Sequence, residues 1–269
     1  MKKKIIIGLC LLLAVALAGT GMVGYLTFLR PAEQAPAEVC AHGHRPDARP
    51  RVVAAGASMT QGTLGTDWVG SLRAQPEHQE YAFINAGING NTSADLRRRV
   101  EADIVACHPA AVAILIGTND VRNGVPLDQY RDNLGAIIDH LKSRTTARIA
   151  LMSLPPLGED LDTAINRRLA GYNAAIKEIA HRAQVDYLPV HERLADRLRP
   201  QGGRQPYAFS FPLAFAVAAQ HYLLRRSWDE IARAGGREFL IDHVHLSERG
   251  AAVITGLTSH WLSTAANTR

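Results

Sequence analysis

The chain has 269 residues, 47% of them hydrophobic and 20% charged, which suits one globular core and excludes a disordered or low-complexity protein. Its formal net charge is +5. Part of that excess is local to Lys2, Lys3 and Lys4, so it does not point to nucleic acid as a partner.

Those lysines precede Ile5 to Leu29, a stretch without a charged residue. It is long enough as a helix to cross a hydrocarbon core of about 30 Å. Lysines on its amino side place that end in the cytoplasm and the rest of the chain outside, in the periplasm or beyond the cell. A cleaved signal peptide is the rival reading, and Ala16-Leu17-Ala18 fits its cleavage site. The apolar run continues through Met22, Val23, Tyr25, Leu26, Phe28 and Leu29, beyond the roughly 7–15 residues of a signal core. Residues 1–30 are therefore expected to be a transmembrane anchor. Cys10 lies inside the run, and Ile7-Gly8-Leu9 lacks the small residue that lipid attachment needs at its end.

Residues 31–50 are rich in Pro, Ala and charge and read as a spacer between membrane and domain. Cys40-Ala41-His42-Gly43-His44 hints at a metal, but the ligand count is short and no partner pair follows. Neither metal nor organic cofactor is expected. An oxidising compartment permits Cys40 and Cys107 to pair; the sequence does not supply the Cα separation that pairing requires.

From Arg51 onward apolar runs alternate with helical spacing. Strands are predicted at Val52–Ala55, Tyr81–Asn85, Ala111–Ile116, Arg148–Ser153 and Asp186–Pro189. Helices are predicted at Asp67–Ala74, Thr92–Ala106, Leu127–Ser143, Leu161–Ala183 and Ser247 to about Ala265. This alternation implies a single α/β domain over residues 51–269, with a central parallel sheet covered on both faces.

The chemistry-bearing residues follow the strands. Ser58 comes two positions after Gly56, at the carboxyl end of the first strand, where open α/β sheets keep their ligands. Helix capping is the plainer role for such a serine. After the second strand come Asn89-Gly90-Asn91-Thr92, and after the third Gly117-Thr118-Asn119-Asp120. A nucleophile, a glycine amide and an asparagine side chain at three strand ends supply what acyl transfer needs: an attacking group and donors for an oxyanion. Asp242 and His245 share one turn before the last helix. An imidazole can take the serine proton, and a carboxylate can hold the imidazole's tautomer. His243, between them, is read as structural.

Taken together these residues resemble the SGNH hydrolases, the GDSL-type esterases and lipases. Gly56-Ala57-Ser58 with Thr60 and Gly62 is similar to the family's first block, Asn89 to Thr92 to its second, Gly117 to Asp120 to its third, and Asp242 to Ser247 to its last. The resemblance implies a flavodoxin-like three-layer α/β/α fold and an acyl-enzyme mechanism. It implies catalytic Ser58, Asp242 and His245, with oxyanion donors from Ser58, Gly90 and Asn119. Ala57 stands where the family usually has Asp, and His243 where it usually has Gly. The α/β-hydrolase elbow fits less well, because Thr60 occupies its second glycine position.

The substrate is an ester, with carbohydrate O-acyl groups and lipids in competition; an acyltransferase and a non-catalytic module on a hydrolase scaffold are alternatives. Residues 194–237 hold Tyr207, Phe209, Phe211, Leu213, Phe215, Tyr222, Leu223, Leu224 and Trp228, with Arg225 and Arg226 close by. The segment reads as a helix packed on the sheet or as an amphipathic cap meeting lipid, and helical spacing favours the first. The sequence does not indicate the oligomeric state.

Overall fold

All five predicted strands form, with ends within two residues of expectation: β1 (Arg51–Gly56), β2 (Ala82–Gly87), β3 (Ala111–Leu115), β4 (Arg148–Met152) and β5 (Asp186–Leu188). The structure is a computed structural model and describes residues 2–40, 49–199 and 205–266. The strands make one parallel sheet in the order β2-β1-β3-β4-β5, the flavodoxin-like arrangement. Nearly every strand residue is buried, as parallel strands covered on both faces must be.

Helices α5 (Ser93–Asp103), α7 (Leu127–Arg144) and α8 (Ala164–Ala183) pack in succession as one layer. Helices α4 (Trp68–Arg73), α9 (Val190–Leu198) and α12 (Glu248–Ala266) make the other. Asp67 and Thr92, predicted as helical, are instead the caps of α4 and α5; the Thr92 hydroxyl accepts from Asp95 N, completing a capping box. The one-turn helix α3 (Ser58–Gln61) and the short α6 (Thr118–Asn123) were not foreseen. Each starts directly behind a strand, where too few residues remain for a period to show.

Gly56 of β1 is in register with Gly87 of β2 and with Leu115 of β3. Three strands therefore end at one rim, and the segments after them emerge side by side. The strand order reverses at β1, which opens a crevice there. α3 sits in this crevice so closely that a Cβ on Gly87 would lie 2.2 Å from Gln61 N.

At the amino end, α1 (Lys2–Gly24) passes into one π-helical turn, Tyr25–Leu29. Residues 3–29 are long and apolar enough to cross a membrane. The described part of the expected spacer is folded. It contains the short helix α2 (Pro36–Val39), buried Ala32 and Pro36, and an ion pair from Glu33 to Arg73. Cys40 is bonded to Cys107 with their Cα atoms 4.9 Å apart. Helix α2 lies against β2 and α5, and Val39 packs on the main core, a surface that composition does not reveal. His42 and His44 lie outside the described residues.

Two further helices, α10 (Phe211–Tyr222) and α11 (Trp228–Ala234), follow in the long aromatic segment. The expectation of a helix packed on the sheet is not met. α10 belongs to a second core with Val23, Leu64, Trp228, Ile231 and Ile241, apart from the main one.

Candidate active site

Ser58 is the first residue of α3, where the chain leaves β1, and no side chain caps that helix. Its hydroxyl meets the turn before α12. His245 Nε2 lies 2.8 Å from Ser58 Oγ, and His245 Nδ1 lies 2.7 Å from Asp242 Oδ2. The other carboxylate oxygen of Asp242 accepts the backbone N–H groups of Val244 and His245, at 3.1 and 2.8 Å. Burial pushes the Asp242 carboxyl up, but the His245 charge and these hydrogen bonds outweigh it. The net effect holds Asp242 below the usual carboxylate range. The three sequence-predicted groups are thus joined in one chain of hydrogen bonds, reaching 187 positions along the sequence.

The turn that carries them is fixed from below. The carboxylate of buried Glu159 accepts N–H bonds from Glu238, Phe239 and Leu240. Arg237 donates to the carbonyls of Leu240 and Ile241, and Gly158 N donates to His243 O. Sequence reasoning missed Glu159, because nothing in its neighbourhood signals a contact 80 positions away.

On the opposite side the loops after β2 and β3 are tied together. Asn119 Nδ2 donates to Asn91 O at 2.9 Å, while Arg122 donates to Asn119 Oδ1 at 3.0 Å. Both bonds set the orientation of the carboxamide. Asp120 accepts from the backbone N–H and the hydroxyl of Ser93, and its burial, the larger effect, raises its pKa. Arg99 reaches from α5 to Asn91 Oδ1 and to Gly56 O, joining the first two loops. Gly90 has φ +76°, and a Cβ there would meet no atom within 4 Å, so backbone conformation and not crowding favours glycine. Asp120 closes the third block without a role assigned to it; Arg99 and Arg122 carried no signal. Among the described residues no cluster of three or more His, Cys, Asp or Glu side chains could hold a metal ion.

Residues 54–253 match the model of the GDSL-like lipase/acylhydrolase family. The chain belongs to this family. It is an ester-hydrolysing serine hydrolase of the carboxylesterase kind. An acetylxylan esterase of Geobacillus stearothermophilus is 27% identical over 181 residues, covering 62% of this chain and 81% of that protein. An uncharacterized lipoprotein, YqeF of Bacillus subtilis, is 29% identical over 118 residues, 39% of this chain and 48% of its own. The crystal structure of Axe2, an acetylxylan esterase from Geobacillus stearothermophilus, superposes with a TM-score of 0.57 at 22% identity, over 78% of this chain and 93% of that one. At that identity the likeness concerns the fold.

Against the GDSL-type pattern, the two departures have separate structural settings. His243 has φ +72°, a left-handed backbone that explains why glycine is usual there. Its ring is buried, and desolvation followed by the charge of Arg237 lowers its pKa. Ala57 is buried at the entry to α3, with φ −111° and ψ −143°.

Proposed function

We propose that the protein is a membrane-anchored serine esterase in which Ser58 is the nucleophile, His245 the general base and Asp242 its partner. The unbroken contact from Ser58 Oγ through His245 to Asp242 Oδ2 carries this reading. Ser58 Oγ attacks the ester carbonyl as His245 Nε2 takes the hydroxyl proton. Asp242, already ionised, balances the imidazolium. Collapse of the tetrahedral adduct breaks the bond to the alcohol, which receives that proton from His245. Water then gives a proton to His245 Nε2 and attacks the acyl carbonyl; collapse of this second adduct breaks the bond to Ser58 Oγ, which takes the proton back from His245 as the acid leaves.

The oxyanion is held by N–H groups of Ser58, Gly90 and Asn119. In support, the first turn of α3 lacks a side-chain cap, and Asn119 shows one N–H bonded to Asn91 O. A carboxamide has a second N–H to offer. The relatives that cleave acetyl groups from xylan favour a short acyl group on carbohydrate as the ester. Residues 1–30 act as the anchor, 31–50 as the connection and 51–269 as the catalytic domain. The three amino-terminal lysines, the Cys40–Cys107 bond and the lipoprotein relative support a location on the outer side of the membrane.

The test is hydrolysis of p-nitrophenyl acetate by the purified full chain in detergent. Ser58→Ala is expected to remove at least a thousandfold of the rate with the melting temperature retained. A folded variant with the parental rate would reject Ser58 as nucleophile.

A further inference from the structure

Over its whole length, Phe211 to Tyr222, helix α10 contains no Asp, Glu, Lys or Arg. A helix apolar all round belongs in a core or a membrane. One side of α10 fits that rule: Ala214, Val217 and Ala218 are buried in the second core. The other side does not. Phe211 is 72% exposed, Pro212 and Ala216 are exposed, and the turn that follows leaves Leu223 and Leu224 at 50% and 68%. Arg225 is exposed beside them.

The neighbour of this uncovered face is the helix that is apolar enough to cross a membrane. Val23, near the end of α1, is fully buried against α10, and the Phe28 ring meets Phe211 edge-on at 6.5 Å. Tyr25 and Leu29 on the same turn are exposed at 53% and 73%. Apolar groups from two distant segments therefore continue outward from the membrane-crossing stretch. Contiguous exposed apolar surface marks an interaction site, and a Leu-Leu-Arg tip and an interfacial Tyr suit the boundary between headgroups and acyl chains.

We propose that the outer side of α10, the Leu223–Leu224 tip, Tyr25 and Leu29 form a seat for the non-cytoplasmic surface of the bilayer. This rests on the anchored esterase reading above and names where its substrate is met. The seat connects to the site through a run of rings: Phe28 to Phe211 at 6.5 Å, Phe211 to Phe209 at 5.7 Å, and Phe209 to His245 at 6.2 Å. The domain lies on the membrane with one ring, Phe209, between its imidazole and Phe211 of the seat. Its substrates are acyl esters presented at that surface.

The experiment uses the full chain in vesicles of phosphatidylethanolamine and phosphatidylglycerol. Cys10→Ser removes the one free cysteine among the described residues, and Leu224→Cys or Ser143→Cys then takes an NBD fluorophore. The label at 224 is expected to emit as in an apolar medium and to be quenched by nitroxide-bearing lipid, whereas the label at 143 on α7 is not. Equal quenching at both positions overturns the seat, as does a blue-shifted label at 224 that lipid nitroxide cannot reach, which signals cover by protein. The catalytic consequence is read as a ratio of turnover, for vesicle-dissolved heptadecylumbelliferyl acetate against soluble methylumbelliferyl acetate. Leu224→Asp is expected to lower that ratio about tenfold, and an unchanged ratio overturns the substrate class. Quenching does not depend on catalysis, so failure of Ser58 as nucleophile and failure of the seat are separately visible.

Discussion

The Asn89 side-chain amide donates to the carbonyl of Thr27, 3.2 Å away, across 62 positions of sequence. It also reaches Phe28 O, and the Gln61 carboxamide bridges Arg30 O to Asn89 N. The loop that carries Gly90 is thus fastened to the chain just where that chain leaves the apolar helix. Asn89→Ala releases the loop without touching Ser58, His245 or Asp242. Small misplacements of catalytic groups cost up to about 100-fold. The expected outcome is a kcat for p-nitrophenyl acetate lower by about 10- to 100-fold with KM changed far less, measured on the full chain.

Asp242 is wholly buried and holds three contacts, so its replacement separates orientation from folding. Asp242→Asn keeps an acceptor for the backbone but cannot balance an imidazolium, and a loss of about 10,000-fold in kcat is expected. The pH behaviour follows from its lowered pKa. The native carboxyl releases its proton more readily than the unfolded one, whose ordinary value is about 3.9. Its contribution to stability is complete above that value and is lost as pH falls toward the native pKa. Urea titrations of wild type and variant should differ above about pH 4 and converge as pH falls below it.

Much of this arrangement is legible in the sequence, and the part that is not has a common cause. Strands such as Ala111–Leu115 are buried on both faces and appear as plain apolar runs. Ser58, Asn119 and His245 stand at chain positions that motifs mark. Glu159, Arg99 and Gln61 act through contacts 80, 43 and 31 positions away, with ordinary surface residue types and no periodic pattern around them. The second core was hidden for another reason: α10 carries no Asp, Glu, Lys or Arg and is apolar from Phe211 to Ala219, so its composition does not say which side the protein covers.

His243 supplies a pH effect of its own. Burial first, then Arg237, lowers its pKa, with Asp242 opposing. The native ring therefore holds fewer protons than an unfolded histidine near its ordinary value of about 6.5. Stability carried by the neutral ring is present above that value and is lost as pH falls below it. His243→Asn tolerates the left-handed backbone and cannot titrate. Thermal melts between pH 7.5 and 5 should show a shallower acid decline for the variant than for wild type.

Glu159 tests how far the turn before α12 relies on one carboxylate. It is 1% exposed and accepts from three successive backbone N–H groups. Glu159→Gln turns an amide toward donors that need an acceptor. Hydrogen bonds to a charged group contribute about 1.5–3 kcal/mol, so a loss near the top of that range is expected in urea unfolding. Because Asp242 and His245 follow this turn directly, kcat should fall while KM for a soluble ester stays within about threefold.

The Cys40–Cys107 bond closes a loop of 67 positions between the segment behind the anchor and the turn that precedes β3. A loop of that size contributes about 4 kcal/mol by restricting the unfolded chain. The bond also pins Cys40 of the connection to the main core, where Cys107 is fully buried. Replacing both cysteines by serine is expected to lower stability by about that amount and to loosen the connection that Asn89 and Gln61 hold at its other end. Amide exchange should then rise in residues 31–40 before it rises in the strands. A doubly substituted chain with unchanged exchange there would show that the packing of Ala32, Pro36 and Val39 alone secures the connection.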